Sequence, residues 1–206
     1  MPGIARLMTS KATPAVLSRE SVSPLMLIAR FNSKGRKVTL LHCYAPTNTA
    51  NIEVKEEFYK QIQAVVDKIP RRDLRILMGD LNAKVGTDNS GRDLIMGRHG
   101  TGEQNENGEL FTEFCTFNEL VIGGILFTLK KIHKTTWLSP DGKYENQIYH
   151  ITIGRKWRRS LHDVRVKRGA DVASDHHLVV ATLKVKLKAH REGKRESRGI
   201  SKRTRK

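Results

Sequence analysis

The stretch from Asp73 to Asn82, DLRILMGDLN, constrains this 206-residue chain more than any other. Leu74 to Met78 is a short, mostly apolar run bounded by Asp73 and Gly79. That length and bounding fit a strand buried on both faces. A strand without a solvent face needs a layer on each side, which excludes a lone open sheet. Helical and strand patterns alternate around it, and several strands are hairpin-linked. The expected class is therefore α/β (α+β), with packed sheets.

Met26 to Phe31 and Lys37 to Tyr44 read as strands, joined by the polar turn Ser33-Lys34-Gly35. Asn51 to Ile69 reads as an amphipathic helix, with Phe58, Ile62, Val65, Val66 and Ile69 at helical spacing and Pro70 as its stop. Gly86 to Gly108 is a long polar loop carrying His99, Asn105 and Asn107, and loops of that length are functional or disordered. Glu109 to Leu120 reads as a second helix. Short strands follow near Leu120 to Ile122, Thr135 to Leu138, Gln147 to Ile153, Val164 to Lys167 and Leu178 to Leu187, with a turn at Pro140-Asp141-Gly142.

The net charge of +17 is unevenly placed. Lys184 to Lys206 holds eleven Lys or Arg against Glu192 and Glu196, a net +9 and more than half of the excess. Residues 1–183 are accordingly read as one domain and 184–206 as a basic, disordered tail. Such a tail attracts polyanions, nucleic acid first, although a solvated end without a specific partner fits the same run. No apolar run reaches the length of a membrane span, and the first residues lack the order of a secretory signal. Cys43 and Cys115 are the only cysteines and read as free buried thiols. A nuclear or cytoplasmic protein, not secreted, follows from these features. No obligate protein partner is evident.

Three local signals carry chemistry. Asp80 and Asn82 follow the buried strand, and residues two apart in extended chain share a face. A carboxylate there can orient or deprotonate water, and an amide can bond a phosphate oxygen. Asp and Asn after a strand are also common turn formers. Asp175 and His176 enter the last strand. Asp175 can bind Mg²⁺ and His176 can stabilise phosphoryl oxygens, while a polar turn leading into a strand accounts for the same residues. Tyr44, ending a strand as YAPT, can hydrogen-bond a phosphate or simply pack.

Together the segments CYAPTN at 43–48, GDLNAKVG at 79–86, MGRHGTGEQNENGELF at 96–111, TTWLSPDG at 135–142, NQIYHI at 146–151 and SDHHLV at 174–179 resemble the endonuclease/exonuclease/phosphatase superfamily. The wording is nearest the apurinic-type endonuclease domains of RTE-like non-LTR retrotransposons and craniofacial development protein 2-like proteins. The resemblance implies a DNase I-like two-sheet β-sandwich flanked by helices, and an Mg²⁺- or Mn²⁺-dependent endonuclease acting on DNA more than RNA. It implies that Asp80 activates water, Asn82 stabilises the pentavalent phosphorus, Tyr44 and His176 contact the phosphate, and Asp175 lies near the metal. It places Asn105, Trp137 and Asn146 at the substrate-binding surface, with Trp137 mainly packing the core.

Two departures qualify the resemblance. The family's Asn and metal-binding Glu lie on strands ahead of the matched region, and Glu20 is the only acid among the first fifty residues here. Gly3 to Met8 resembles the strand after those. The expectation is an N-terminally incomplete domain lacking the first strands, marginally stable, with an open sheet edge. Second, Tyr149 stands where the family has an Asp that holds the catalytic imidazole. An impaired or inactive phosphodiesterase is expected. The alternatives are a non-catalytic basic nucleic-acid binder or a non-functional retroelement remnant.

Overall fold

The computed structural model describes residues 8–33, 35–169 and 174–185. Ten strands, two α-helices and four short 3-10 helices are defined there. The strands are β1 (Val16–Ser23), β2 (Met26–Ser33), β3 (Arg36–Tyr44), β4 (Leu74–Asp80), β5 (Leu120–Ile122), β6 (Trp137–Leu138), β7 (Glu145–Asn146), β8 (Tyr149–Gly154), β9 (Leu161–Lys167) and β10 (Leu178–Leu183). The α-helices are α1 (Ile52–Asp67) and α2 (Glu106–Phe117).

A six-stranded sheet runs in the order β1-β2-β3-β4-β8-β5. Its β3–β4 pair is parallel, so α1 serves as the crossover between them, as a parallel connection requires. One face of the sheet packs on the helices: Leu41, Cys43 and Leu77 join Phe58, Ile62, Phe111 and Phe114 in one core. On the other face Leu74, Ile76, Val121, Ile151 and Ile153 meet Leu161 and Val164 of the β9–β10 pair. The expected two-sheet sandwich with helices is present, with β4 covered on both sides.

Several element limits differ from the sequence expectation. β1 has no counterpart in the sequence pattern, because VLSRESVS is almost wholly solvent-facing; it exists by hydrogen bonding to β2. Glu20 lies exposed within it, at the sheet edge and away from any site. The second helix starts three residues earlier than expected. Asn105 caps it by accepting from the Gly108 amide at 2.8 Å, the arrangement that suits Asn at this position. Residues 86–105 are held rather than loose: Ile95 and Met96 are buried, and the Ile95 carbonyl accepts from the Ile122 amide at 2.9 Å. The strand expected over 135–138 is only Trp137–Leu138, and that over 164–167 begins at Leu161. Cys43 and Cys115 are both free and buried. The turn residue Lys34, most of Gly3 to Met8 and nearly all of the basic tail lie outside the described residues.

Candidate active site

The sheet register assembles the site. Tyr44 on β3 is level with Asp80 on β4, and Asp80 with Tyr149 on β8. Side chains alternate along each strand, so these three stand in one row on the face away from the helices. Gly79 makes the row possible. A Cβ there would lie 1.8 Å from the Cys43 carbonyl oxygen, and its φ of 146° is open to glycine alone among ordinary residues.

The Ser174-Asp175-His176-His177 segment is fixed against β6. Trp137 and His176 form an antiparallel bridge. The Leu138 amide donates to the Asp175 carbonyl at 2.9 Å, and the His177 amide to the Thr136 carbonyl at 2.8 Å. The Trp137 indole N–H donates to Asp175 Oδ2 at 2.9 Å. Trp137 therefore anchors Asp175 instead of mainly packing the core. Between this segment and the strand row lies a cleft of about 830 Å³, lined by Tyr44, Asp80, Tyr149 and His176 among others.

Within the cleft Tyr149 and His176 are joined. The phenol oxygen is 2.6 Å from Nδ1, and the rings stack with centroids 5.2 Å apart and planes 13° apart. Asp80 is only 7% exposed. Burial pushes its carboxyl up to about 6, although the Asn82 amide, His176 and the Tyr149 phenol each act to lower it. Burial and then the nearby Asp80 charge raise the Tyr149 phenol well above its ordinary value, so it is neutral at any working pH. Asp175 Oδ1 is 3.6 Å from His176 Nε2.

Asn82 reaches the site by an unexpected route. The strand ends at Asp80, and Asn82 takes a left-handed conformation with φ 49°. Its own amide donates to Asp80 Oδ1 at 3.0 Å, and its side-chain Nδ2 donates to the Ala45 carbonyl at 2.9 Å. Alternation along a strand is thus not what brings Asp80 and Asn82 together; a tight turn does. Asn105 and Asn107 hold that turn, donating to the Asn82 carbonyl at 3.0 and 3.4 Å. Asn105 Oδ1 also accepts from the Lys84 amide at 2.8 Å as well as from Gly108. Its carboxamide is thus largely occupied in holding the fold around Asn82 and the start of α2. Asn146 lies on β7, its carbonyl accepting from the Thr136 amide at 2.9 Å, and is not among the cleft-lining residues.

Sequence reasoning missed Lys55 and His150, and placed Asn107 in a loop where it belongs to α2. The Lys55 ammonium is buried in α1, donating to the Asn48 carbonyl at 2.7 Å and pairing with Glu106. It ties the loop after Tyr44 to the start of α2. His150 is buried behind the row, Nε2 lying 2.7 Å from the Ala83 carbonyl, and burial lowers it to about 4. A lysine at a helical core position was the one available sign for Lys55.

No family model matches the chain. Craniofacial development protein 2 of Bos taurus is 36% identical over 186 residues, which cover 90% of this chain and 31% of that protein. The endonuclease domain of TRAS1, a telomere-specific non-LTR retrotransposon, superposes with a TM-score of 0.60 at 18% identity, over 80% of this chain and 66% of that one. The 3' phosphatase NExo from Neisseria, bound to a product DNA hairpin, gives 0.58 at 17% identity, over 82% and 72%. This is an endonuclease/exonuclease/phosphatase-type fold, related to craniofacial development protein 2. The chain spans about a third of the length of that curated relative. The cleft of this endonuclease/exonuclease/phosphatase-type fold combines an acid and two phenols at the ends of three neighbouring strands with the imidazole of His176, which comes from the segment held against β6.

Proposed function

We propose that the chain is a nucleic-acid phosphodiesterase-type domain of retroelement descent, acting on DNA ahead of RNA, whose catalytic centre is impaired as it stands. One observation carries the reading: the group that holds His176 Nδ1 is the Tyr149 phenol at 2.6 Å, the Asp175 carboxylate lying 3.6 Å from Nε2 on the other side of the ring. A neutral phenol fixes the ring but cannot stabilise an imidazolium as a carboxylate does. In the serine-hydrolase template, neutralising the His-orienting acid costs roughly 10⁴ in rate, which sets the scale of the loss. Two structural relatives, a retrotransposon endonuclease domain and a phosphatase bound to a DNA hairpin, support nucleic acid as the substrate class.

The described residues fit a divalent ion poorly. Mg²⁺ and Mn²⁺ want about six oxygen ligands, usually with one or two carboxylates. Asp175 offers one carboxylate, already accepting from Trp137. Asp80 is buried and already accepts the Asn82 amide. Among the described residues no group of three or more His, Cys, Asp or Glu could hold a metal ion. What the side chains offer themselves is limited. Ionised Asp80 can accept a proton from water, and Tyr44 and His176 can hydrogen-bond phosphate oxygens.

The test is plasmid nicking by the full chain with Mg²⁺ or Mn²⁺. The expected result is no nicking above that of His176→Ala. Metal-dependent nicking that His176→Ala abolishes would overturn the impairment. A second reading, a non-catalytic basic binder, is favoured by the net charge of +17. It predicts DNA binding that weakens steeply with salt and is indifferent to Asp80→Ala.

A further inference from the structure

The end of the sheet opposite the cleft gathers positive charge. There the start of β4, the end of β8 and the turn Arg155–Ser160 surround a cavity of about 350 Å³. Arg71, Arg75, Arg155 and Lys156 line it, together with Trp157. Two acids also line it, and both are engaged. Asp73 is held by Arg30 at 2.6 Å and by Thr39 at 2.8 Å, and Glu119 pairs with Arg155. Arg71 and Lys156 are exposed and form no ion pair among the described residues. The Arg36 guanidinium lies 5.1 Å from the Trp157 ring centroid. Stacking on the indole holds an otherwise mobile cation in place. The turn itself, RKWRRS, adds the exposed Arg158 and Arg159.

Strand geometry separates this surface from the cleft. Asp80 lies six residues beyond Leu74 on β4, which at about 3.3 Å per residue is roughly 20 Å. One phosphate group cannot touch both ends. The two tryptophans of the chain happen to mark them, Trp137 against Asp175 and Trp157 in the basic cavity.

We infer that this surface is a second contact for the phosphodiester backbone of a nucleic acid, separate from the cleft and independent of its chemistry. Guanidinium forks match phosphate oxygens in pairs, and the residues here are mainly arginines. Unneutralised cations release counterions from a polyanion on contact. The inference rests on the reading that the chain engages nucleic acid, and the experiment separates the two.

The full chain is labelled with 5-fluorotryptophan and titrated with a short DNA duplex. The Trp157 resonance is expected to shift at saturating duplex in the unaltered chain. Arg71→Gln combined with Lys156→Gln is expected to lower the log–log salt slope of binding by nearly two, about 0.9 for each phosphate that is no longer neutralised. Lys60→Gln, which removes one exposed charge from α1, should leave the slope unaltered. If Trp137 shifts at saturation and Trp157 does not, the second surface is refuted and the cleft reading stands. If the duplex binds and neither shifts, the second surface is refuted and the contact lies elsewhere on the chain; if the duplex does not bind, nucleic-acid binding itself fails. An equal fall in slope per charge in Lys60→Gln would reduce the effect to net charge and refute the surface. Displacement of the duplex by polyglutamate of matched charge would refute a phosphate site in favour of an acidic peptide. The fluorine shift is read on the unaltered chain, so it decides even where the double variant fails to fold.

Discussion

Asp73 and Asp80 bracket the same strand, one just ahead of β4 and one at its end, at 4% and 7% exposure. Burial raises both, yet they ionise in opposite senses. At Asp73 the Arg30 guanidinium, the Thr39 hydroxyl and Lys37 outweigh burial and hold the carboxyl below its ordinary value. At Asp80 no Lys or Arg among the described residues forms an ion pair, and burial leaves the group at about 6. Neighbours, not depth, decide what a buried acid does. The first is a structural ion pair. The second is a carboxylate poised near neutrality beside a phenol and an imidazole, in a cleft more than twice the volume of the basic cavity at the other end.

The comparison breaks most completely if β4 cannot lie against β3. Gly79→Ala would drive a methyl group into the Cys43 carbonyl. It is expected to cost more than about 4 kcal/mol, read as loss of a cooperative urea transition. That change would remove both acids from their environments at once.

The sign of each acid's contribution is the sharper test. The folded value of Asp80, about 6, exceeds its ordinary 3.8. Its protonated form favours the folded state, so that stability is fully present below about pH 4 and is lost as pH rises through 6. The shift corresponds to about 3 kcal/mol as an order of magnitude. Asp80→Asn should therefore flatten the stability profile between pH 4 and 7 and stabilise the chain above it. A profile unchanged by the substitution would show that Asp80 is not perturbed.

Asp73 should act in reverse, because its folded value is depressed. Its contribution is present above pH 4 and is lost as pH falls below the ordinary carboxylate range. Asp73→Asn removes the charge and one of the two acceptor oxygens that Arg30 and Thr39 share. The Arg30 side chain is 29% exposed, so the loss is set at about 2 kcal/mol, below that of a fully buried pair. Denaturant midpoints at pH 7 measure it. No loss at pH 7 would make the two ends of β4 equivalent after all.

The smallest effect concerns the phenol. Tyr149 helps lower the Asp80 carboxyl, so Tyr149→Phe should raise it further above 6. A hydrogen bond of about 1 kcal/mol corresponds to under one pH unit. Titration of the Asp80 carboxyl carbon by NMR reads this directly, and a downward movement would contradict the geometry.

Much of this was legible along the chain. The β4 run, the stop of α1 near Pro70 and the β2–β3 hairpin follow from local pattern, because periodicity and turn chemistry act within a few residues. β1 was not legible. Its side chains face solvent, and only the neighbouring strand's hydrogen bonds make it a strand. The start of α2 was hidden because Asn107 and Gly108 are weak helix formers. A cap and a close backbone approach explain them: a Cβ on Gly108 would lie 1.8 Å from the Lys84 carbonyl oxygen.

The candidate site divides in the same way. Local sequence singled out Asp80, Tyr44, Asp175 and His176 as candidates for chemistry, and Tyr149 as a departure from the pattern of the family the chain resembles. Only the tertiary structure decided that Tyr149 meets His176, that Trp137 holds Asp175, that Asn105 serves the Asn82 turn, and that of the two aspartates bracketing β4 one is paired and the other is not. Residue type and spacing are local properties of a chain. Hydrogen-bond partners and the desolvation that sets a pKa come from residues tens of positions away, and those distances close only when the strands register.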